Sequence, residues 1–242
     1  MRYAIFSDIH SNLEALEAVL EAYQKERIDE YLCIGDVVGY AANPNECIER
    51  LRKVAMITLV GNHDWAAVDL FSADNFNPEA QKAIFWTKAN LTESSKYFLS
   101  SLKLVYDIEK LVLVHGSLDS PQVFNYLTNV YSCAATFKLL RSSVCFVGHT
   151  HVPVVFIQDK KGDIRYQDVE SLKIEPDNKY IINVGSVGQP RDSIPAAAYC
   201  IFDTSDQQVQ IKRIKYDVFK ARRKIIEAGL PQFLADRLLT GN

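Results

Sequence analysis

The chain has 242 residues, a formal net charge of -3, 48% hydrophobic and 24% charged residues. That is an ordinary globular composition, long enough for a sizeable core. It lacks the basic excess of a nucleic-acid backbone binder, and no apolar run is long enough for a membrane span. Neither partner is therefore expected, and the cytoplasm is the expected compartment.

The elements follow in chain order. A short apolar run over 4–6 ends in Ser7-Asp8 and reads as a buried strand delivering a carboxylate at its C-terminal end. Asn12 caps a helix whose apolar face is Leu13, Leu16, Val19 and Leu20. A second strand over 31–34 ends in Gly35-Asp36. A helix capped by Asn43, with Pro44 at its first position, runs to about Leu51. A third strand over 55–60 ends in Gly61-Asn62-His63-Asp64. This alternation predicts a parallel sheet with the motifs at the carboxyl ends of its strands. Residues 78–98 are expected to be mostly helical. Paired strands over 103–107 and 111–114 follow, the second ending in His115-Gly116, then a helix over 130–140 and a strand over 144–147 ending in Gly148-His149-Thr150-His151. Beyond His151 the pattern suggests a hairpin (154–157 and 164–169) and strands over 180–183, 197–202 and 209–214, read as a second, mostly antiparallel sheet. Helices over 219–228 and 232–239 end the chain. Two sheets face to face with outer helices make one domain spanning 1–242.

The five cysteines are odd in number and show no metal-site spacing, which predicts buried reduced thiols. The five histidines, in contrast, all lie in the motifs above, beside Asp8, Asp36, Asn62 and Asp64. Imidazole, carboxylate and amide together are the ligand set of a hydrolytic metal centre. Asp8 and His10, like His149 and His151, are two residues apart, so an extended segment would aim each pair at one point and turn Thr150 away. Asp36 suits a bridging position and Asn62 offers a neutral carbonyl oxygen. The stretch Asn183 to Asp192 places Gly185, Ser186 and Gly188 where backbone can approach the metal loops or turn tightly between sheets. Arg191 is a candidate phosphate clamp or a partner for Asp192. Tyr40, Asn43, Trp65, Asn75, Phe76, Asn77, Phe124 and Tyr126 are candidate cleft residues. Phe233, Leu234, Leu238 and Leu239 suit a homo-oligomeric contact or a cover for the sheet.

The ordered series Asp-x-His, Gly-Asp, Gly-Asn-His-Asp, His-Gly, Gly-His-x-His resembles the calcineurin-like metallophosphoesterase superfamily over essentially the full chain, in particular its small prokaryotic phosphodiesterase-like branch. The resemblance implies an α/β fold, a four-layer α/β/β/α sandwich of two mixed sheets with outer helices. It implies a dinuclear centre. Asp8, His10, Asp36 and His151 would hold one divalent ion, and Asp36, Asn62, His115 and His149 the other. Manganese is the leading expectation, with iron or zinc as alternatives. His63 would approach the substrate as a catalytic residue with Asp64 orienting its ring, and Asn62, Asn12 and Arg191 would contact substrate. Hydrolysis would proceed by attack of a metal-bridging hydroxide on a small phosphodiester or phosphomonoester, such as a nucleotide. Ser11-Asn12 after His10, and Val37-Val38-Gly39 after Asp36, depart from the Asp-x-His-Gly and Asp-Arg-Gly patterns of the protein-phosphatase branch. That places protein phosphatase and dinucleoside-polyphosphate hydrolase second, and a non-catalytic scaffold further behind.

Overall fold

The computed structural model describes residues 1–54 and 57–242. Two six-stranded sheets form its frame. The strands are β1 (Arg2–Phe6), β2 (Glu30–Cys33), β3 (Ile57–Thr58), β4 (Val105–Ile108), β5 (Leu111–Val114), β6 (Val144–Val147), β7 (Val154–Gln158), β8 (Ile164–Gln167), β9 (Ser171–Lys173), β10 (Lys179–Asn183), β11 (Ala197–Asp203) and β12 (Gln208–Ile214). The helices are α1 (Leu13–Gln24), α2 (Pro44–Lys53), α3 (Asn62–Ala66), α4 (Pro78–Asn90), α5 (Glu93–Ser100), α6 (Val130–Leu139), α7 (Val218–Glu227) and α8 (Gln232–Asp236), the last continuing as a 3-10 turn, Arg237–Leu239.

The first sheet has the order β3-β2-β1-β11-β12-β9 and the second β4-β5-β6-β10-β7-β8. Strands β1, β2 and β3 are parallel, as are β5, β6 and β10. The alternation of strand residues sets the layers. From β1, Tyr3 and Ile5 face the space between sheets, where they join Leu32, Leu113, Phe146, Ile182 and Phe202. Ala4 and Phe6 point outward, against Leu16, Val19 and Tyr23 of α1 and Ile48 and Leu51 of α2. On the opposite outer face, Val112, Val114, Cys145 and Ile181 pack under Cys133 and Phe137 of α6. The result is the expected α/β/β/α sandwich. All five cysteines are buried and free.

The division of strands differs from the sequence reading. The strands after His151 do not build a sheet of their own. Strands β11, β12 and β9 extend the first sheet beside β1, while β7, β8 and β10 complete the second. Hydrophobic periodicity reports that a strand is half-buried and is silent about its partner. Strand β9 and helix α3 were not expected; both are short, three and five residues. The expected third strand begins at Ala55 and Met56, which lie outside the described residues. Asn12 caps α1 as predicted, accepting from Ala15 N at 3.1 Å. Asn43 does not cap α2 with its side chain: its Nδ2 donates to Glu46 and its Oδ1 accepts from Lys224 Nζ. Leu234 and Leu238 are buried against α7, whereas Phe233 and Leu239 are exposed. No helix among the described residues is long and apolar enough to cross a membrane.

Candidate metal centre

The two triplets of parallel strands place six loops at one edge of the sandwich, and backbone hydrogen bonds tie those loops together. Asp8 N donates to Gly35 O and His10 N to Asp36 O, joining the loops after β1 and β2. Gly148 N donates to His115 O, and Val184 N to Val147 O. The two sheets are joined here by Val187 N donating to Ser7 O and Gly188 N to Asp8 O. His149 N also donates to the Asp8 carboxylate, at 3.1 Å to Oδ2. The small residues of the 183–192 stretch thus serve close backbone approach, with Ser186 Oγ donating to Asp8 O at 2.8 Å. Gly148 is required by space: a Cβ there would lie 2.1 Å from Ser7 Oγ and 2.4 Å from Asp8 Oδ2.

The segments are not extended. Asp8, His10, Ser11, Asp36, Tyr40, His149 and His151 all have positive φ, between 50° and 68°. The two-residue spacing of Asp8 with His10, and of His149 with His151, works through left-handed turns rather than a strand pleat. Such conformations cost about 1–2 kcal/mol per non-glycine residue and persist where surrounding structure enforces them. Thr150 is drawn into this network, where its Oγ1 accepts from Asn183 Nδ2 at 2.9 Å.

Three imidazoles are anchored alike. Nδ1 of His10 donates to Val38 O, that of His115 to Ile34 O and that of His151 to Gln189 O, at 3.1, 3.0 and 2.6 Å. This fixes the tautomer and leaves each Nε2 as a lone pair facing inward. Nε2 of His10 and Nε2 of His151 face each other at 3.0 Å. Two bare lone pairs at that separation repel, and either a shared proton or a metal cation relieves them. Asp8 Oδ1 lies 3.3 Å from His151 Nε2, and Asp36 Oδ2 is 3.6 Å from His10 Nε2 and 3.3 Å from His115 Nε2. Ligand atoms about 2.1 Å from one ion stand about 3.0–3.4 Å apart, so these separations fit a coordination shell.

The donors fall into two groups, Asp8, His10, Asp36 and His151 in one and Asp36, His115 and His149 in the other, each within 4.8 Å of one another. Asp36 belongs to both. Asn62 begins α3 directly after Gly61, and His63 N donates to Asp36 Oδ1 at 2.9 Å. Asn62 Oδ1, His115 Nε2 and His149 Nε2 are buried without a hydrogen-bond partner. A buried acceptor left unmatched is costly, and a second cation beside Asp36 would satisfy all three.

The electrostatics agree. Burial alone would raise Asp8 and Asp36, yet the surrounding imidazoles, His151 for the first and His115 for the second, hold both below the usual carboxylate range. Burial brings His10 and His151 down, and brings His63 to about 4 and His149 to about 3. Burial also pushes His115 down, but the adjacent Asp36 carboxylate carries it up to about 9. With both carboxylates ionised and His10, His149 and His151 held neutral, most of the donors are in the state a divalent cation needs, and a bound ion would displace the proton that Asp36 holds on His115.

A domain model described as the calcineurin-like phosphoesterase superfamily domain matches residues 1–207. The chain belongs to the calcineurin-like phosphoesterase superfamily. The uncharacterized protein MJ0912 of Methanocaldococcus jannaschii is 40% identical, over 98% of this chain and 97% of that one. The crystal structure of a metallophosphoesterase from Sphaerobacter thermophilus superposes with a TM-score of 0.88 at 39% identity, covering 100% of this chain and 99% of the other. A hypothetical protein from Pyrococcus horikoshii, PH1004, shares the fold at a TM-score of 0.79 and 19% identity, covering 100% and 98%. With two metal-binding clusters in place, this member of the calcineurin-like superfamily is a metal-dependent phosphoesterase.

The remaining expected site residues occupy various positions. The His63 ring is wedged between Tyr40, Phe76 and His10, at centroid distances of 4.5, 4.7 and 4.8 Å, and its Nδ1 has no hydrogen-bond partner. Asp64 does not orient it. Both Asp64 oxygens accept from backbone, Oδ1 from Val38 N and Oδ2 from Gly61 N, each at 3.0 Å, and burial holds this carboxyl up at about 7. Arg191 does not pair with Asp192, whose carboxylate is taken by Arg213. Instead Arg191 Nη2 donates to Tyr40 Oη at 3.1 Å and Gln189 Oε1 at 3.0 Å. The Asn12 amide is committed to the fold. Besides capping α1, its Nδ2 donates to Gly188 O and Tyr216 Oη. Of the cleft candidates, Tyr126 stacks on His149 at 3.8 Å, and Phe124 lies 6.0 Å from His115 and packs edge-on against Trp65. Asn77 is the cap of α4. Gln189 was missed as a holder of His151; a backbone carbonyl partner leaves no mark in the sequence.

Proposed function

We propose that this chain, acting as one domain in the cytoplasm, hydrolyses small phosphodiesters, nucleotides among them, with manganese as activator. Asp8, His10, Asp36 and His151 hold one ion, and Asp36, Asn62, His115 and His149 the other. The single observation supporting this assignment most strongly is the pair of inward lone pairs on His10 and His151, 3.0 Å apart. Divalent ions bound there supply an acidified water and neutralise charge on the phosphoryl oxygens. The chain's own residues do the rest. Asp36 stays ionised and joins the two halves of the centre. His63, kept neutral by burial, meets the phosphoryl group as a hydrogen-bond donor. Asp64 acts at one remove, clamping Val38 and Gly61 and so the loops that carry Asp36 and His63. Asn12 likewise supports the loop rather than the substrate. Tyr40, Phe76, Phe124 and Tyr126 form an aromatic rim around the centre. That rim favours the diester, which has two organic substituents to lay against it, whereas a monoester has one.

The test is hydrolysis of bis-p-nitrophenyl phosphate and p-nitrophenyl phosphate side by side with manganese. The diester is expected to be the better substrate. His63→Ala is expected to lower kcat by about 10²–10⁴-fold with the metals retained, and Asp36→Ala to abolish turnover. Preference for the monoester would refute the diester assignment, and full activity in Asp36→Ala would refute the centre.

A further inference from the structure

Two arginines converge on one neutral oxygen beside the centre. Arg191 Nη2 donates to Gln189 Oε1 at 3.0 Å, and Arg237 Nη1 donates to the same oxygen at 3.1 Å. Arg237 comes from the turn after α8, beyond the residues that match the family domain. Among the described residues, neither guanidinium forms an ion pair with an Asp or Glu side chain, and the neighbouring Asp192 is engaged by Arg213. Arg237 Nε donates to the main-chain oxygen of Asn242, and Arg191 Nε is buried with no hydrogen-bond partner. Burial and the charge of Arg191 push Arg237 down to about 10. Like charges gathered on one amide oxygen, with an unmatched buried N–H, are an arrangement that an oxyanion would complete.

The position is defined by Tyr40. The Arg191 guanidinium carbon lies 5.7 Å from the Tyr40 ring centroid, and that ring lies 4.5 Å from both His10 and His63. The pair therefore stands against the Tyr40 wall of the centre, on the side where Arg191 N also donates to His151 O. Resting on the phosphoesterase reading above, we propose that Arg191 and Arg237 form an anion subsite that receives a second phosphate carried by the substrate, distinct from the one cleaved.

Thymidine 5′-(p-nitrophenyl phosphate) and its 3′-phosphorylated form share a scissile bond and leaving group and differ by one phosphate. With manganese-loaded enzyme, the 3′-phosphorylated ester is expected to show a KM about tenfold lower or better. In Arg237→Ala that advantage is expected to shrink to about twofold or less, and Arg237→Lys, which keeps the charge, to retain part of it. Calorimetry with sulfate as probe reads the subsite without turnover: Arg237→Ala is expected to weaken sulfate binding about tenfold. Equal KM values in the unaltered enzyme, together with sulfate binding insensitive to Arg237→Ala, overturn the subsite. Loss of sulfate binding in Arg237→Ala, with neither ester turned over by the unaltered enzyme, supports the subsite and overturns the phosphoesterase reading instead.

Discussion

At the scale of single residues, the centre depends on what lies behind each donor. Backbone carbonyls of Val38, Ile34 and Gln189 hold the Nδ1 atoms of His10, His115 and His151, so the inward nitrogens are free to bind before any ion arrives. Gly39 serves His63 in a different way, by leaving room. It has φ +96°, and a Cβ there would lie 2.6 Å from His63 Nδ1. Gly39→Ala should therefore displace the imidazole while leaving the ligands in place. A catalytic group moved by about 1 Å can cost about 10²-fold, so kcat on bis-p-nitrophenyl phosphate is expected to fall by that order with metal content unchanged. Steady-state kinetics beside metal analysis checks this; an unaltered kcat would show that His63 has slack the packing does not suggest.

At the scale of elements, helix α1 is tied to the active edge through Asn12, whose amide caps the helix and reaches Gly188 and Tyr216. A lost cap costs about 1 kcal/mol and each lost hydrogen bond a similar amount. Asn12→Ala is accordingly expected to lower unfolding free energy by about 2–3 kcal/mol in urea titration, and a loss under about 0.5 kcal/mol would contradict this anchoring. The cap itself was legible in the sequence, because an Asn three residues before the helical Ala15 is a local signal. So were the strand ends, since apolar runs stop abruptly at Asp8, Asp36, His115 and His149. What was not legible depends on partners distant in sequence. The left-handed turns at Asp8, His10, His149 and His151 are held by loops distant in sequence, from the same sheet as well as the opposite one, and nothing in Asp-Ile-His or His-Thr-His announces them. Arg237 is a lone arginine in a terminal turn, and its meeting with Arg191 exists only after folding. Asp64 sits beside His63 in sequence, which suggested a partnership that the capping of α3 overrides.

At the scale of the whole molecule, the sandwich exists as two sheets whose parallel strands end at one edge. Asp8 and Asp36 arrive from the first sheet, and His115, His149 and His151 from the second. The centre therefore closes only when the sheets pack, through the interior of Ile5, Leu113, Phe146 and Phe202. Bound ions add stability to the packed state by mass action. The most direct test of a shared two-ion centre is metal content after manganese reconstitution and desalting, for the unaltered chain, His10→Ala and His149→Ala, read together with hydrolysis of bis-p-nitrophenyl phosphate. The geometry predicts about two ions per chain, falling to about one in each variant because each histidine belongs to a different cluster, with hydrolysis lost in both. Full activity with one ion or none, or variants that keep two ions, would contradict it.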